Sequence, residues 1–147
     1  MDLRDVPQIS QLEDQSFENP WQTGFFNDCL EEGYCCRVLE QDGIIQAYGV
    51  MSLESRIAHI LNLCVRAESR GRGLGHQLLL ALLDLAREEW AGTVLLELRA
   101  SNEPALRLYR RMGFRQVHIR KNYYSGSQGN EDALVMLLLL DSGQGGM

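Results

Sequence analysis

The chain has 147 residues, 45% of them apolar, with 20 acidic and 14 basic side chains and a formal net charge of −6. That length and apolar content suit one domain around one core rather than two. The acidic balance argues against a nucleic-acid binder, because neutralising phosphates takes a basic surface, and favours a cationic partner such as a basic peptide.

The opening "MDLRDVPQIS" lacks the basic flank and apolar run of a signal peptide, and no later apolar run approaches the ~20 residues of a membrane helix. A soluble, cytoplasmic protein with no membrane contact is the expectation. Four cysteines, Cys29, Cys35, Cys36 and Cys64, include no CxxC, and the three histidines are scattered, so no metal-site spacing exists.

In chain order, a helix is predicted from Val6 to Phe17 on the apolar positions Ile9, Leu12 and Phe17. Pro20 breaks it, and a short second helix carries Phe25, Phe26, Cys29 and Leu30. "YCCRVLE" and "IIQAYGVMSL" read as a hairpin turned at "QDG", because Asp-Gly between β-rich runs is a strong turn signal. A third strand, "IAHILNLCV", leads into "RAESRGRGLGH".

Beyond that loop, Leu74, Leu78, Leu82, Leu85 and Ala86 recur at helical spacing, so residues 74–89 are predicted to form an amphipathic helix ended near Gly92. "TVLLELR" is apolar except at Glu97 and Arg99, which predicts a central strand covered on both faces. In "ASNEPALRLYRRMGF" a helix starts at Ser101 or Asn102, with Pro104 in its first turn, Gly113 past its end, and a stripe of Ala105, Leu108, Tyr109 and Met112. Two closing strands are expected at Arg115–Arg120 and Ala133–Leu140, separated by "KNYYSGSQGNED". Residues 141–147 have the small, polar composition of a frayed tail, so the domain is placed at 1–140.

The glycines at 71, 73 and 75 pose the functional question. Glycine permits sharp turns, and the first N–H groups of the following helix point outward unpaired, so this end suits an anion. The dinucleotide pattern GxGxxG fails, since its last position is His76 or Leu78, and no Gly-Lys-Ser/Thr follows for a nucleoside-triphosphate loop. What remains is Arg-x-x-Gly-x-Gly, Arg70 to Gly75, after a strand and opening a helix. Read by itself this is either a phosphate cradle or a turn flanked by solvated arginines.

This motif resembles the pyrophosphate-binding loop of the GNAT superfamily of acetyl-CoA-dependent N-acetyltransferases, and "ELRASNEPALRLYRRMGF" is similar to that superfamily's second block. "FENPW" and "RKNYY...NEDALVM" narrow the resemblance to the bacterial RimI family of ribosomal-protein alanine N-acetyltransferases, over Leu3 to Leu140. The resemblance implies an α/β fold with a mixed, mostly antiparallel sheet flanked by helices, whose central parallel strands splay to admit acetyl-CoA. It implies acetyl transfer to a protein N-terminal α-amine, the alanine of a basic ribosomal small-subunit protein, with no metal. It leaves the oligomeric state undefined.

Residue by residue, the resemblance places Leu63, Cys64 and Val65 along the cofactor, with backbone N–H near Cys64 or Val65 for the oxyanion. It puts the pyrophosphate on Arg70, Gly71, Arg72, Gly73, Leu74, Gly75 and His76, and gives Asn102 a coenzyme A contact. Glu97 becomes the general base and Tyr109 the acid for the departing thiolate. Glu97 already stands out as a carboxylate in an apolar strand, where desolvation raises a pKa toward neutrality; the alternative is a structural glutamate paired with Arg99 or another cation. Tyr109 by spacing alone reads as core, and Cys64 reads as a strand residue rather than a nucleophile.

His59, His76 and His118 read as solvated or core-edge. Trp21 and Phe17, with Tyr123 and Tyr124, are candidate walls of a peptide groove, and Glu18, Glu31, Glu32 and Asp132 candidate acidic contacts. Two departures from the family are visible: only "MDLR" is available for its first strand, and His76 replaces a frequent arginine. Rival readings are a broader N-terminal, lysine or small-amine acetyltransferase, and a non-catalytic acyl-CoA-binding module.

Overall fold

Asp2 caps the first turn: its carboxylate accepts the Arg4 N–H at 2.9 Å and its own N–H donates to Asp5, closing a 3-10 turn over Leu3–Asp5. Where "MDLR" leaves room for a short first strand, the chain forms this turn instead and runs directly into the first helix. The structure, a computed structural model, describes residues 1–17, 20–126 and 129–140. The tail expected at 141–147 lies outside these, as do Glu18 and Asn19 of "FENPW".

Helix α1, Val6–Ser16, begins with Pro7 in its first turn and buries Val6, Ile9, Leu12 and Glu13. Helix α2, Thr23–Glu31, buries Phe26 and Cys29 and is tied to α1 by a 2.7 Å bond between the Ser10 and Thr23 hydroxyls. Strands β1, Cys35–Gln41, and β2, Ile44–Glu54, form the expected hairpin. Asp42 at φ 54° and Gly43 at φ 79° are both left-handed, which is why Asp-Gly suits a turn of this hand. Ile45, Tyr48 and Val50 of β2 join Val6, Ile9, Leu12, Phe26, Cys29, Cys36 and Cys64 in one apolar cluster.

Strand β3, Ile57–Val65, and strand β4, Thr93–Arg99, have the predicted limits. Between them helix α3, Leu74–Glu88, buries Leu79 and Leu83 as well as the expected Leu78, Leu82 and Ala86. Helix α4, Glu103–Arg111, is capped by Asn102, whose Oδ1 accepts the Ala105 N–H. Its core face is Leu106 and Tyr109; Ala105, Leu108 and Met112 are only half-buried, so the predicted stripe is displaced around the helix.

Strand β5 runs from Arg115 to Tyr124, longer than predicted, and strand β6 covers Glu131–Leu139. The sheet order is β1-β2-β3-β4-β6-β5. Pairing is antiparallel between β1 and β2, β4 and β6, and β5 and β6, and parallel between β3 and β4, giving the mixed, mostly antiparallel sheet expected. The parallel ladder joins Ile57–Ile60 to Thr93–Leu96 and ends there, before either strand does.

The chain divides into two compact units, Met1–Ser52 with Leu61–Leu85, and Leu53–Ile60 with the chain from Ala86 onward. β4 is an interior strand, but its two faces are unequal, contrary to the expectation of cover on both. Val94, Leu96 and Leu98 are buried, whereas Thr93, Leu95, Glu97 and Arg99 are only partly covered. That half-open face carries both charged side chains of the strand.

Candidate active site

In the first unit the end of β3 passes through a 3-10 turn, Ala67–Ser69, into the glycine loop. Gly71 at φ 81° and Gly73 at φ 77° occupy the left-handed region, and a Cβ added at either would meet nothing within 4 Å. Glycine is therefore required there by backbone conformation, not by crowding. The first helical bond runs from the Gln77 N–H to the Gly73 carbonyl at 3.0 Å. The N–H groups of Leu74, Gly75 and His76 are thus left at the positive end of α3 without intrahelical acceptors.

Both arginines of the loop are tethered beside that end. Arg70 Nε donates to the Val65 carbonyl at 3.2 Å, and Arg72 Nη2 to Gln41 Oε1 at 3.2 Å. The loop's base is pinned to β2, since the Arg66 N–H donates to the Gln46 carbonyl at 2.7 Å and the Arg66 guanidinium to the Ile45 carbonyl at 2.9 and 3.1 Å. A tethered loop, two cations and three N–H groups without intrahelical acceptors fit a diphosphate.

Behind this loop Cys64 is buried, and burial pushes its thiol up, with hydrogen bonds from Ser16 and Tyr48 opposing. Cys64 lies on β3, and a protonated, enclosed thiol is a poor nucleophile. Leu63 packs on the other side of β2: a Cβ at Gly49 would stand 2.9 Å from Leu82 and 3.2 Å from Leu63.

A feature the sequence does not disclose lies in α1. Glu13 is 2% exposed, and its carboxylate accepts three hydrogen bonds: from the Tyr48 hydroxyl, from Asn62 Nδ2 at 2.8 Å and from the Trp21 N–H at 2.9 Å. This fixes Trp21, whose ring packs on Phe25 and Phe26 with centroids 4.5 and 5.4 Å apart. Trp21 is therefore a half-buried anchor, while Phe17, just past the end of α1, is exposed.

The second unit holds Glu97. Its side chain is 15% exposed, and Oε1 lies 2.7 Å from Nε2 of His59 on β3. Arg99, the partner weighed from sequence, instead bonds Glu131 at 3.3 Å and the Ser125 carbonyl at 3.2 Å, and sits 4.6 Å over the Tyr124 ring. Burial, then the neighbouring Glu97 carboxylate, holds the Tyr124 hydroxyl up at about 12. Tyr109 is buried against Phe114, ring centroids 5.5 Å apart, and burial followed by Tyr124 pushes its hydroxyl well above the usual phenol range. A hydroxyl so held stays protonated at neutral pH.

Tyr123 is half exposed with Arg120 stacked 5.3 Å over its ring. Asp132 is engaged with Lys121 at 3.3 Å and the Asn122 N–H at 3.0 Å, which leaves it a local structural role. Glu31 and Glu32 are exposed. Asn102 is exposed and spends its carbonyl on capping α4, leaving its amide N–H groups outward.

A model of the acetyltransferase (GNAT) family matches residues 6–114. The chain belongs to the GNAT family. Along nearly its whole length it is similar to the [ribosomal protein bS18]-alanine N-acetyltransferase of Escherichia coli strain K12, 33% identical over 94% of this chain and 93% of that protein. The enzyme of the same name from Salmonella typhimurium is 35% identical over 91% and 90%. The crystal structure of the ribosomal-protein-S18-alanine N-acetyltransferase from E. coli superposes with TM-score 0.89 and 32% identity, covering 95% of this chain and 90% of that one. Ard1 from Thermoplasma volcanium superposes with TM-score 0.86 at 27% identity, covering 95% and 94%.

For a GNAT chain the sequence placed most of the candidate residues on the elements that carry them. The glycine loop opens α3, Glu97 faces the half-open side of β4, and Tyr109 lies on α4. His59 and Glu13 escaped it. Among the described residues no group of His, Cys, Asp or Glu could hold a metal ion, and no helix is long and apolar enough to cross a membrane.

Proposed function

We propose that this GNAT chain transfers the acetyl group of acetyl-CoA to the N-terminal α-amine of a protein, the alanine of ribosomal protein bS18. The observation that carries the reading is Glu97: a largely enclosed carboxylate on the open face of an interior strand, its Oε1 bonded to His59 and its Oε2 accepting no hydrogen bond among the described residues. Similarity to bS18-alanine N-acetyltransferases over nine-tenths or more of both chains supports the acceptor. The net charge of −6, with Glu31 and Glu32 exposed, favours a basic acceptor, and a ribosomal protein would be met in the cytoplasm.

In this reading the loop from Arg70 to His76 takes the pyrophosphate on the N–H groups of Leu74, Gly75 and His76, flanked by the two tethered guanidinium groups. Leu63, Cys64 and Val65 align the pantetheine arm, and Asn102 offers its amide. Bound acetyl-CoA supplies a thioester carbonyl for attack. Glu97 removes a proton from the α-ammonium, directly or through a water, so that the amine attacks as the free base. The Cys64 or Val65 N–H holds the developing oxyanion, and Tyr109 gives its proton to the leaving sulfur. Tyr123 and Tyr124 would border the peptide, and Trp21 is a separate candidate for that role.

Gly73→Ala isolates the loop's part. A side chain at φ 77° costs about 1–2 kcal/mol of backbone strain, so acetyl-CoA should bind about tenfold more weakly. Calorimetric titration checks this; unchanged affinity would remove the loop from the cofactor site.

The acceptor is tested by thiol release from acetyl-CoA with a basic peptide that begins with alanine and carries an internal lysine, beside the same peptide with a blocked N-terminus. Release with the free terminus only is expected. Equal release from both would transfer the assignment to lysine, and none from either would remove the peptide acceptor.

A further inference from the structure

We propose that His59 is the positioning residue of the general base, donating from Nε2 to Glu97 Oε1 so that Oε2 stays aimed at the acceptor amine. This rests on the assignment of Glu97 as base. The parallel register pairs His59 with Leu95, and side chains on a strand alternate, so His59, Leu95 and Glu97 share one face of the sheet. The 2.7 Å separation is a full hydrogen bond. An ionised carboxylate can only accept, so the proton between the two groups belongs to Nε2.

Among the described residues, the charged and titratable groups beside this pair are Arg99 and Tyr124, and both are engaged elsewhere. Arg99, next on that face, is held by Glu131 and by the Ser125 carbonyl. Tyr124 keeps its proton near Glu97 and is covered by Arg99. His59 is the sole hydrogen-bond donor to Glu97 among the described residues. A glutamate has three rotatable side-chain bonds, and one fixed oxygen removes much of that freedom before substrate arrives. The imidazole is 34% exposed on its side chain, against 15% for Glu97, so the pair has a wetter and a drier end, with the base at the drier one.

The test compares His59→Ala and His59→Gln in steady-state acetylation of the alanine peptide, with acetyl-CoA affinity measured on each. Losing a hydrogen bond to a charged group should lower kcat of His59→Ala by about ten- to a hundredfold while acetyl-CoA affinity stays at the wild-type value. His59→Gln, whose amide can donate in the same place, should restore kcat to within about threefold of wild type. Wild-type kcat in His59→Ala, an equal loss in His59→Gln, or loss of acetyl-CoA binding in His59→Ala would each overturn the proposal. Glu97→Gln in the same series separates the two claims. If it turns over normally, the base assignment fails; if it is inactive while His59→Ala is normal, only the role of His59 fails.

Discussion

Glu97→Gln is expected to lower kcat by about 10²- to 10⁴-fold, the range that a positioned general base contributes. The substitution is nearly isosteric, and the amide oxygen can still accept from His59 Nε2, so the local geometry around the 2.7 Å contact is retained. What disappears is the ability to take a proton. An α-ammonium has no lone pair for attack, so removing the base leaves only the small fraction of amine already free in solution. Acetyl-CoA binding, assigned to the loop from Arg70 to His76, should be unaffected. The measurement is initial rate of thiol release at saturating substrates, with calorimetric acetyl-CoA affinity beside it. A kcat within about tenfold of wild type would withdraw the base assignment.

Glu13→Ala is expected to destabilise the fold by about 3–5 kcal/mol. Three donors converge on this buried carboxylate from different segments: the Tyr48 hydroxyl of β2, the Asn62 amide of β3 and the Trp21 N–H ahead of α2. Tyr48 is fully buried, and burial with the Glu13 carboxylate nearby keeps its hydroxyl protonated. Truncation would strand all three donors, whereas Tyr48→Phe removes one donor and its need together and should cost only about 1 kcal/mol. Denaturant unfolding of the two variants checks the difference. A loss below about 1 kcal/mol for Glu13→Ala would show that water replaces the carboxylate readily.

Sequence reading succeeded where a residue's role is local. β3 and β4 are apolar runs bounded by polar turns, and Asp42-Gly43 and the Asn102 cap announce themselves by chemistry that operates within four residues. It fell short where the deciding partner is distant in sequence. His59 is one histidine in a strand until the parallel register of β3 and β4 brings it against Glu97, thirty-eight residues on. Glu13 follows Leu12 on an otherwise ordinary helix, and its three donors are scattered from Trp21 to Asn62.

The length of β5 is hidden from the sequence for a related reason. Pairing with β6 holds it to Tyr124, but nearly every residue is exposed, so no alternation marks the strand, and Asn122 at φ 53° interrupts it in the stretch where the β5–β6 register shifts. The stripe on α4 was displaced because its core face is set by Phe114 packing on Tyr109 and by the burial of Leu106, not by the wider apolar spacing. Glu97 was legible as an anomaly. That Arg99 would be taken by Glu131, leaving the carboxylate to a histidine, was not.

Acetyl transfer to the α-amine is tested by incubating ribosomal protein bS18 bearing a free N-terminal alanine with this chain and acetyl-CoA, and locating the modification by peptide mapping. One acetyl group is expected, on the α-amine of that alanine, and none on any lysine. Acetyl groups on lysines with the terminus untouched, or an unmodified protein under conditions where acetyl-CoA is bound, would contradict it.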